Sequence, residues 1–287
     1  MRTKLMAGMV LLAAGACAPQ DGGNAGETAA TTAAQPATPQ AVIFTARDFA
    51  FEGPDTIAAG LTTLVLNNAG PTYHHVQLLR LSEGRTVADL QAAFAGMKPG
   101  DPFPSWATDA GGVNPADPGE QSRATLMIEA GDYAVICFVD TPDHVPHMMK
   151  GMIQSLTVTP SDAPAVPAPE SDLVLTLVDY AFSFSAPPTA GQHVVRIENA
   201  GPQPHEVLFV QLAPGKTADD FMQWGQTYEG AAPGRALGGA ASMAPGQVEY
   251  VPLDLAPGDY VAVCFVPDAG DGMPHVAHGM ILPFTVS

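Results

Sequence analysis

The chain has 287 residues, with 29 Asp and Glu against 11 Lys and Arg, for a formal net charge of −18. Nucleic-acid phosphates would be repelled, which excludes that class of partner; the excess acid can steer a basic protein at low salt, or serve only as a solvated surface. The length suits about two domains.

Residues 1–16 read as an export signal. The first four residues, MRTK, are basic, residues 5–14 are apolar, and Ala14-Gly15-Ala16 supplies small residues before Cys17. Ten apolar residues cannot cross a bilayer that needs about 20, so the run is a cleavable signal and not an anchor helix. The residues before Cys17 resemble a bacterial lipobox. That implies lipidation of Cys17 and a lipid-anchored, extracytoplasmic protein. In a Gram-negative cell it would sit at the periplasmic face of the outer membrane, because Ala18 and not an aspartate follows the cysteine; otherwise it sits at the cell surface. An ordinary signal peptide cut nearby is the alternative. Residues 17–40 are rich in Ala, Thr, Pro and Gly with no apolar periodicity, and read as a disordered tether.

From there the chain repeats itself. A first copy at 41–160 and a second at 171–287 flank a proline-rich linker at 161–170, stiffened toward an extended form. The copies align at an offset of 131 through Asp48/Asp179, Asn68/Asn199 and His74/His205. The offset becomes 127 from Gly111-Gly112/Gly238-Gly239 to Cys137/Cys264, and 128 for His147/His275 and Met152/Met280. In the first copy, runs at 61–66, 76–81, 125–128, 133–139 and 153–158 are short, β-branched and apolar, and bounded by Gly, Pro and Asn. These are strands of a β-sandwich or barrel. Residues 86–97 and 217–228 differ: both open on Thr with acids in the first turn, and Val87, Leu90 and Phe94 fall at helical spacing. Each copy is therefore all-β with one short inserted helix. Because each carries its own strand set, each is expected to fold alone when cut within 161–170.

Each copy also carries the same potential ligands in the same order. The first has His74 in NAGPTYHHV, then Cys137, His147 and Met152 in GDYAVICFVDTPDHVPHMMKGM; the second has His205 in NAGPQPHEV, then Cys264, His275 and Met280 in GDYVAVCFVPDAGDGMPHVAHGM. Two imidazoles, a thiolate and a weak thioether are the ligand set of an electron-transfer copper site. GDYAVICF and GDYVAVCF, the NNAG run before His74, and the second histidine followed by methionine resemble plastocyanin-like cupredoxins, the type 1 blue copper proteins. The resemblance spans both copies and implies two tandem cupredoxin-like Greek-key β-sandwiches. It implies one copper per domain, on His74, Cys137, His147 and Met152 and on His205, Cys264, His275 and Met280. It also implies a one-electron carrier and not an enzyme, with a redox protein such as a c-type cytochrome or a copper oxidase as partner. The His-x-His and His-Cys-His motifs that hold the extra coppers of copper oxidases and nitrite reductases do not occur. Copper storage, delivery or resistance, and a metal-free interaction module, stay open as alternatives.

The sequence departs from the family pattern in one place. Nine residues separate Cys137 from His147 and ten separate Cys264 from His275, where the family has only a few. Lengthening a loop from about three to about ten residues costs only about 1 kcal/mol of closure entropy. It nevertheless puts rigidity and exclusion of water in question, which Pro142, Pro146, Pro267 and Pro274 partly restore. Cys137 and Cys264 end equivalent strands in separate copies, and with the resemblance this favours free thiols over a disulfide. His75, aligned with Glu206, is expected at the surface, as are His144 and His278, and His193 has no counterpart. Met148 and Met149 can contact copper or merely shield it. The glycine pairs serve either a close backbone approach to the site or a turn. Asp48 and Asp179 are expected to belong to strand architecture.

Overall fold

The computed structural model describes residues 38–97 and 103–287. The export signal, Cys17 and the tether through residue 37 lie outside the described residues. Among the described residues no helix is long and apolar enough to cross a membrane.

Alternating apolar and polar side chains make the strands. β1 (Gln40–Arg47) buries Val42, Phe44 and Ala46 and turns the intervening residues outward. The first copy continues with β2 (Ala50–Glu52), β3 (Thr56–Ala58), β4 (Gly60–Asn68), β5 (Val76–Leu81), helix α1 (Val87–Gly96), β6 (Ala107–Val113), β7 (Gln121–Ile128), β8 (Gly131–Ile136) and β9 (Ile153–Thr159). The second copy has β10 (Leu173–Val178), β11 (Ala181–Phe184), β12 (Gly191–Asn199), β13 (His205–Leu212), helix α2 (Ala218–Trp224), β14 (Gly234–Met243), β15 (Val248–Leu255), β16 (Gly258–Val263) and β17 (Ile281–Val286). Both helices open on a capping box, Thr86 with Asp89 and Thr217 with Asp220, which satisfies amides that the first turn leaves free. α1 buries Leu90 against Leu79 and Leu81, and α2 buries Phe221 against Leu208 and Val210. The all-β class with one short helix per copy is therefore as expected.

The copies differ where the sequence forbids a match. β3 pairs in parallel with β9, but the residues aligned with Thr56 and Ile57 are Pro187 and Pro188. Proline has no N–H to give a ladder, and the second copy forms no strand there.

The strands make two sheets, and both run through the two copies. One has the order β11-β10-β12-β15-β7-β4-β1-β2 and the other β17-β16-β13-β14-β6-β5-β8-β9-β3. The copies join where β15 pairs with β7 (Glu249 opposite Leu126) and where β14 pairs with β6 (Ala240 opposite Val113). Val113 and Ala240 are equivalent residues at the offset of 127, so the copies meet across a pseudo-two-fold axis, as in an isologous dimer. A single apolar cluster contains Val113 and Leu126 from one copy and Val207, Ala240 and Val251 from the other. Sequence alone gave no pattern from which this pairing of the copies could be read. Residues 161–170 carry no helix or strand.

The glycine pairs belong to the seam and not to the metal centre. A Cβ on Gly111 would run into the Glu249 carboxylate, and one on Gly238 would meet the Ser122 Cβ at 2.7 Å. Glu249 and Ser122 are equivalent residues, each supplied by the opposite copy. With φ of 79° and 93°, Gly111 and Gly238 also hold backbone that side-chain-bearing residues rarely adopt.

Candidate metal centre

Each candidate centre draws on two parts of its copy. The first is the turn after β4 or β12. Asn68 uses its amide to bond the Thr72 and Ala116 carbonyls at 2.8 and 3.0 Å, and its oxygen accepts the Gly70 N–H at 3.2 Å. Asn199 does the same with Gln203, Met243 and Gly201. This pins the turn that delivers His74 or His205. A side chain at Gly70 or Gly201 would collide with that imidazole, which explains the recurring NAGP.

The second part is the segment that follows β8 or β16. Here the long Cys-to-His loop folds on itself. The Thr141 N–H donates to the Val145 carbonyl at 3.0 Å, Asp140 bridges Pro146, and the His147 N–H returns to the Val139 carbonyl at 2.9 Å. In the second copy Asp268 closes on Met273 at 2.8 Å, Pro267 bridges Pro274, and His275 returns to Val266 at 2.9 Å. The extra residues form a pinched-off excursion, and the chain re-enters beside the cysteine as a shorter loop would. The Cys137 N–H then donates to the Met152 carbonyl at 3.2 Å and the Met152 N–H to the His147 carbonyl at 3.0 Å; Cys264, Met280 and His275 repeat both bonds at the same lengths.

His74 Nδ1 and His147 Nδ1 face each other at 3.0 Å, with Cys137 Sγ 3.5 Å from His147 Nδ1. His205, His275 and Cys264 reproduce both distances. All six side chains are fully buried, and neither cysteine is in a disulfide. Met152 and Met280 are fully buried in the same apolar cluster as the two cysteines. The length of the loops therefore costs the centres no exclusion of water.

Asp48 and Asp179 prove to be more than strand architecture. His74 Nε2 donates to Asp48 Oδ1 at 3.0 Å and His205 Nε2 to Asp179 Oδ1 at 2.7 Å. A carboxylate on one ring nitrogen fixes the proton there and turns the other nitrogen's lone pair inward. His147 Nε2 and His275 Nε2 are buried without a hydrogen-bond partner, the latter with Asp268 Oδ2 at 3.8 Å. With the first histidine's proton held toward the carboxylate, its Nδ1 lone pair faces the second histidine's Nδ1 at 3.0 Å beside the thiol, a grouping of donors that a cation can bridge. The aspartates' recurrence at the offset of 131 was the available signal in the sequence.

Electrostatics suit a neutral donor set. Burial lowers the pKa of His74 and His205 although Asp48 and Asp179 pull upward. Burial, then the neighbouring imidazole, lowers His147 to about 4 and also lowers His275. All four histidines are neutral at pH 7. Burial pushes the Cys137 thiol up to about 12 and raises Cys264 as well, so a thiolate forms here only with a cation to hold it, and binding expels a proton.

The other histidines fall on both sides of expectation. His144 and His278 are exposed, and His193 bonds Asp172 and the Thr189 carbonyl. His75 is buried, contrary to the expected surface place. Its ring Nε2 accepts the Phe138 N–H at 2.8 Å, and Glu206 accepts the Phe265 N–H at 2.9 Å in the same position. The aligned His and Glu look unrelated in sequence because they share only the ability to accept. Met148 packs with Leu79 and Leu90, and Met149 is exposed. Asp268, Asp271 and His278 also gather on the second copy's loop, where Asp268 is taken up by Tyr180, Gln203 and two loop amides.

No family model and no curated relative matches the chain. Among solved structures it is similar to reduced auracyanin from the photosynthetic bacterium Roseiflexus castenholzii, at 18% identity over 43% of this chain and 100% of that one, with a TM-score of 0.30. It is similar to auracyanin A from Chloroflexus aurantiacus, described as a "blue" copper protein, at 20% identity over 42% of this chain and 100% of that one, TM-score 0.30. It is also similar to a blue copper oxidase from Nitrosomonas europaea, at 16% identity over 87% of this chain and 86% of that one, TM-score 0.27.

Proposed function

We propose that this chain is an extracytoplasmic copper protein, held at a membrane by a lipid on Cys17, that carries one electron at each of two centres. The ligands are His74, Cys137, His147 and Met152 in one copy and His205, Cys264, His275 and Met280 in the other. The observation that carries the reading is the buried grouping, built twice, of two imidazole nitrogens 3.0 Å apart with a thiol 3.5 Å from one of them. Copper bound to such a set alternates between two oxidation states whose differing ligand preferences imidazole and sulfur satisfy together.

The rest is work for the chain's own residues. Asp48 and Asp179 orient the first histidine, as outer carboxylates do at metal sites. The His75 and Glu206 N–H groups point at the Cys137 and Cys264 sulfurs at 3.5 Å and stabilise negative charge there. The folded loops keep water away and keep the donors fixed, so little rearrangement accompanies a change of oxidation state. The protein is proposed as a carrier and not an enzyme. Its acidic surface suits a basic redox partner, such as a c-type cytochrome or a copper oxidase.

Metal analysis of the full chain expressed with copper tests the reading. Two coppers per chain are expected, one after either Cys137→Ser or Cys264→Ser, and none after both. Absence of copper from the unaltered chain refutes it. Cys17→Ser should release the protein from the membrane fraction or block its processing; unchanged fractionation refutes the anchor.

A further inference from the structure

The donors of the two centres match, but the charges around the second histidine do not. In each copy an aromatic ring stands against that histidine: Phe49 lies 5.1 Å from His147 and Tyr180 lies 5.3 Å from His275, both at 72°. Behind the ring the copies part. Lys150 Nζ sits over the Phe49 ring at 5.4 Å. At the same place in the second copy His278 stacks on Tyr180 at 4.8 Å, an imidazole in place of an ammonium.

The Cys-to-His loops part in the same direction. Thr141 and Asp268 are equivalent, since each closes its loop through its N–H, on Val145 at 3.0 Å and on Met273 at 2.8 Å. The first copy thus has a hydroxyl where the second has a carboxylate. Asp268 Oδ2 lies 3.8 Å from His275 Nε2, and among the described residues no carboxylate reaches the His147 ring in this way. The first loop's acids lie elsewhere: Asp143 is spent on Lys150, with both oxygens at 3.0 Å, and Asp140 bridges Pro146. Glu206, in the place of His75, brings one more acid to the second centre.

Asp268 is built to stay in place as an anion. Oδ2 accepts the Tyr180 hydroxyl at 2.6 Å and the Gln203 amide at 2.9 Å, and Oδ1 accepts the Gly270 and Asp271 N–H groups at 2.7 and 3.2 Å. Four donors favour the charged form and fix its position. A fixed anion stabilises the more highly charged state of a metal beside it, and an ammonium stabilises the less charged one. Even at about 10 Å and an effective dielectric of about 20, one unit charge changes such an equilibrium by about tenfold or more.

Resting on the two-copper reading above, we propose that the second centre has the lower reduction potential and that Asp268 sets it, so that an electron shared between the centres comes to rest on the first. The transfer oxidises the second centre, reduces the first and moves no proton.

The test is redox titration of the copper-loaded full chain, followed by the paramagnetic signal of Cu(II). Cys137→Ser isolates the second centre and Cys264→Ser the first. At one poised potential the ratio of Cu(I) to Cu(II) should be about tenfold or more higher at the first centre. Asp268→Asn should raise the ratio at the second centre by about tenfold and leave the first unmoved. Asp268→Glu keeps the charge and should stay close to the unaltered chain, which a merely structural role of Asp268 would not predict. Asp268→Thr, the first copy's own residue at that place, replaces Asp268→Asn if the latter does not fold. Equal ratios, the opposite order, or a second centre that ignores loss of the Asp268 charge overturns the proposal and leaves the copper reading intact. Metal analysis separates the two failures, since a chain that holds no copper overturns both.

Discussion

Replacing Glu249 by Gln should stabilise the metal-free protein at neutral pH and do nothing in acid. Glu249 enters the seam on β15 and is 1% exposed. One carboxyl oxygen accepts the Gly112 N–H at 2.9 Å, and the other is buried with no partner. Burial raises its pKa well above the ordinary 4.5. A carboxyl whose pKa is raised by folding contributes its full stability below the unfolded value and loses it as pH rises through the folded value. Between the two, wild type should lose up to about 1.4 kcal/mol per pH unit from this group. For a chain of this size that is about 3–5 °C of melting temperature per unit. Glutamine keeps a carbonyl for Gly112 and has no charge to bury. Asp109, raised to about 6 chiefly by burial, loses stability over part of the same range in both proteins and drops out of the difference. Calorimetry of both metal-free proteins from about pH 4 to about pH 8 should show curves that coincide at the acid end and separate steadily above it. Parallel curves, or a variant destabilised at every pH, would refute the reasoning.

Asp179→Ala should lower copper affinity at the second centre by about 10–100-fold through loss of the His205 orientation while leaving the first centre unchanged; a titration showing equal loss at both contradicts this. Gly201→Ala should cost about 1–3 kcal/mol through overpacking, because the new Cβ would lie 2.6 Å from His205 Nε2; an unchanged urea midpoint counts against the tight turn. Residues 41–160 and 171–287 made separately should each show β-structure by circular dichroism but melt below the joined chain. Mixing them should give a one-to-one complex, since β7 with β6 and β15 with β14 otherwise lose partners; halves that ignore each other refute the seam.

Much of this architecture could be read from the chain because it was written twice. Strands at 76–81 and 153–158, both helices and the order of His, Cys, His and Met follow from periodicity, capping residues and the repeat, all of which are local. The seam could not be read, because a pairing between copies leaves no local pattern. Its best traces were the glycine pairs, whose purpose becomes plain only when Glu249 and Ser122 arrive from the opposite copy. His75 was misplaced for a related reason: burial of a lone histidine depends on a distant partner, here the Phe138 amide that its ring accepts. Asp48 and Asp179 were visible as a recurrence but not as partners of His74 and His205, since they lie in the turns after β1 and β10, 26 residues away from those histidines in the chain. The long loops looked open because loop length carries no record of the backbone bridges that close them.

The central claim is best tested by the visible absorption spectrum of the copper-loaded full chain alongside Cys137→Ser, Cys264→Ser and the double variant. A thiolate on copper in each copy predicts an intense blue colour, reduced to about half by either substitution and lost with both. A colourless loaded protein, or a band that survives in the double variant, would contradict it.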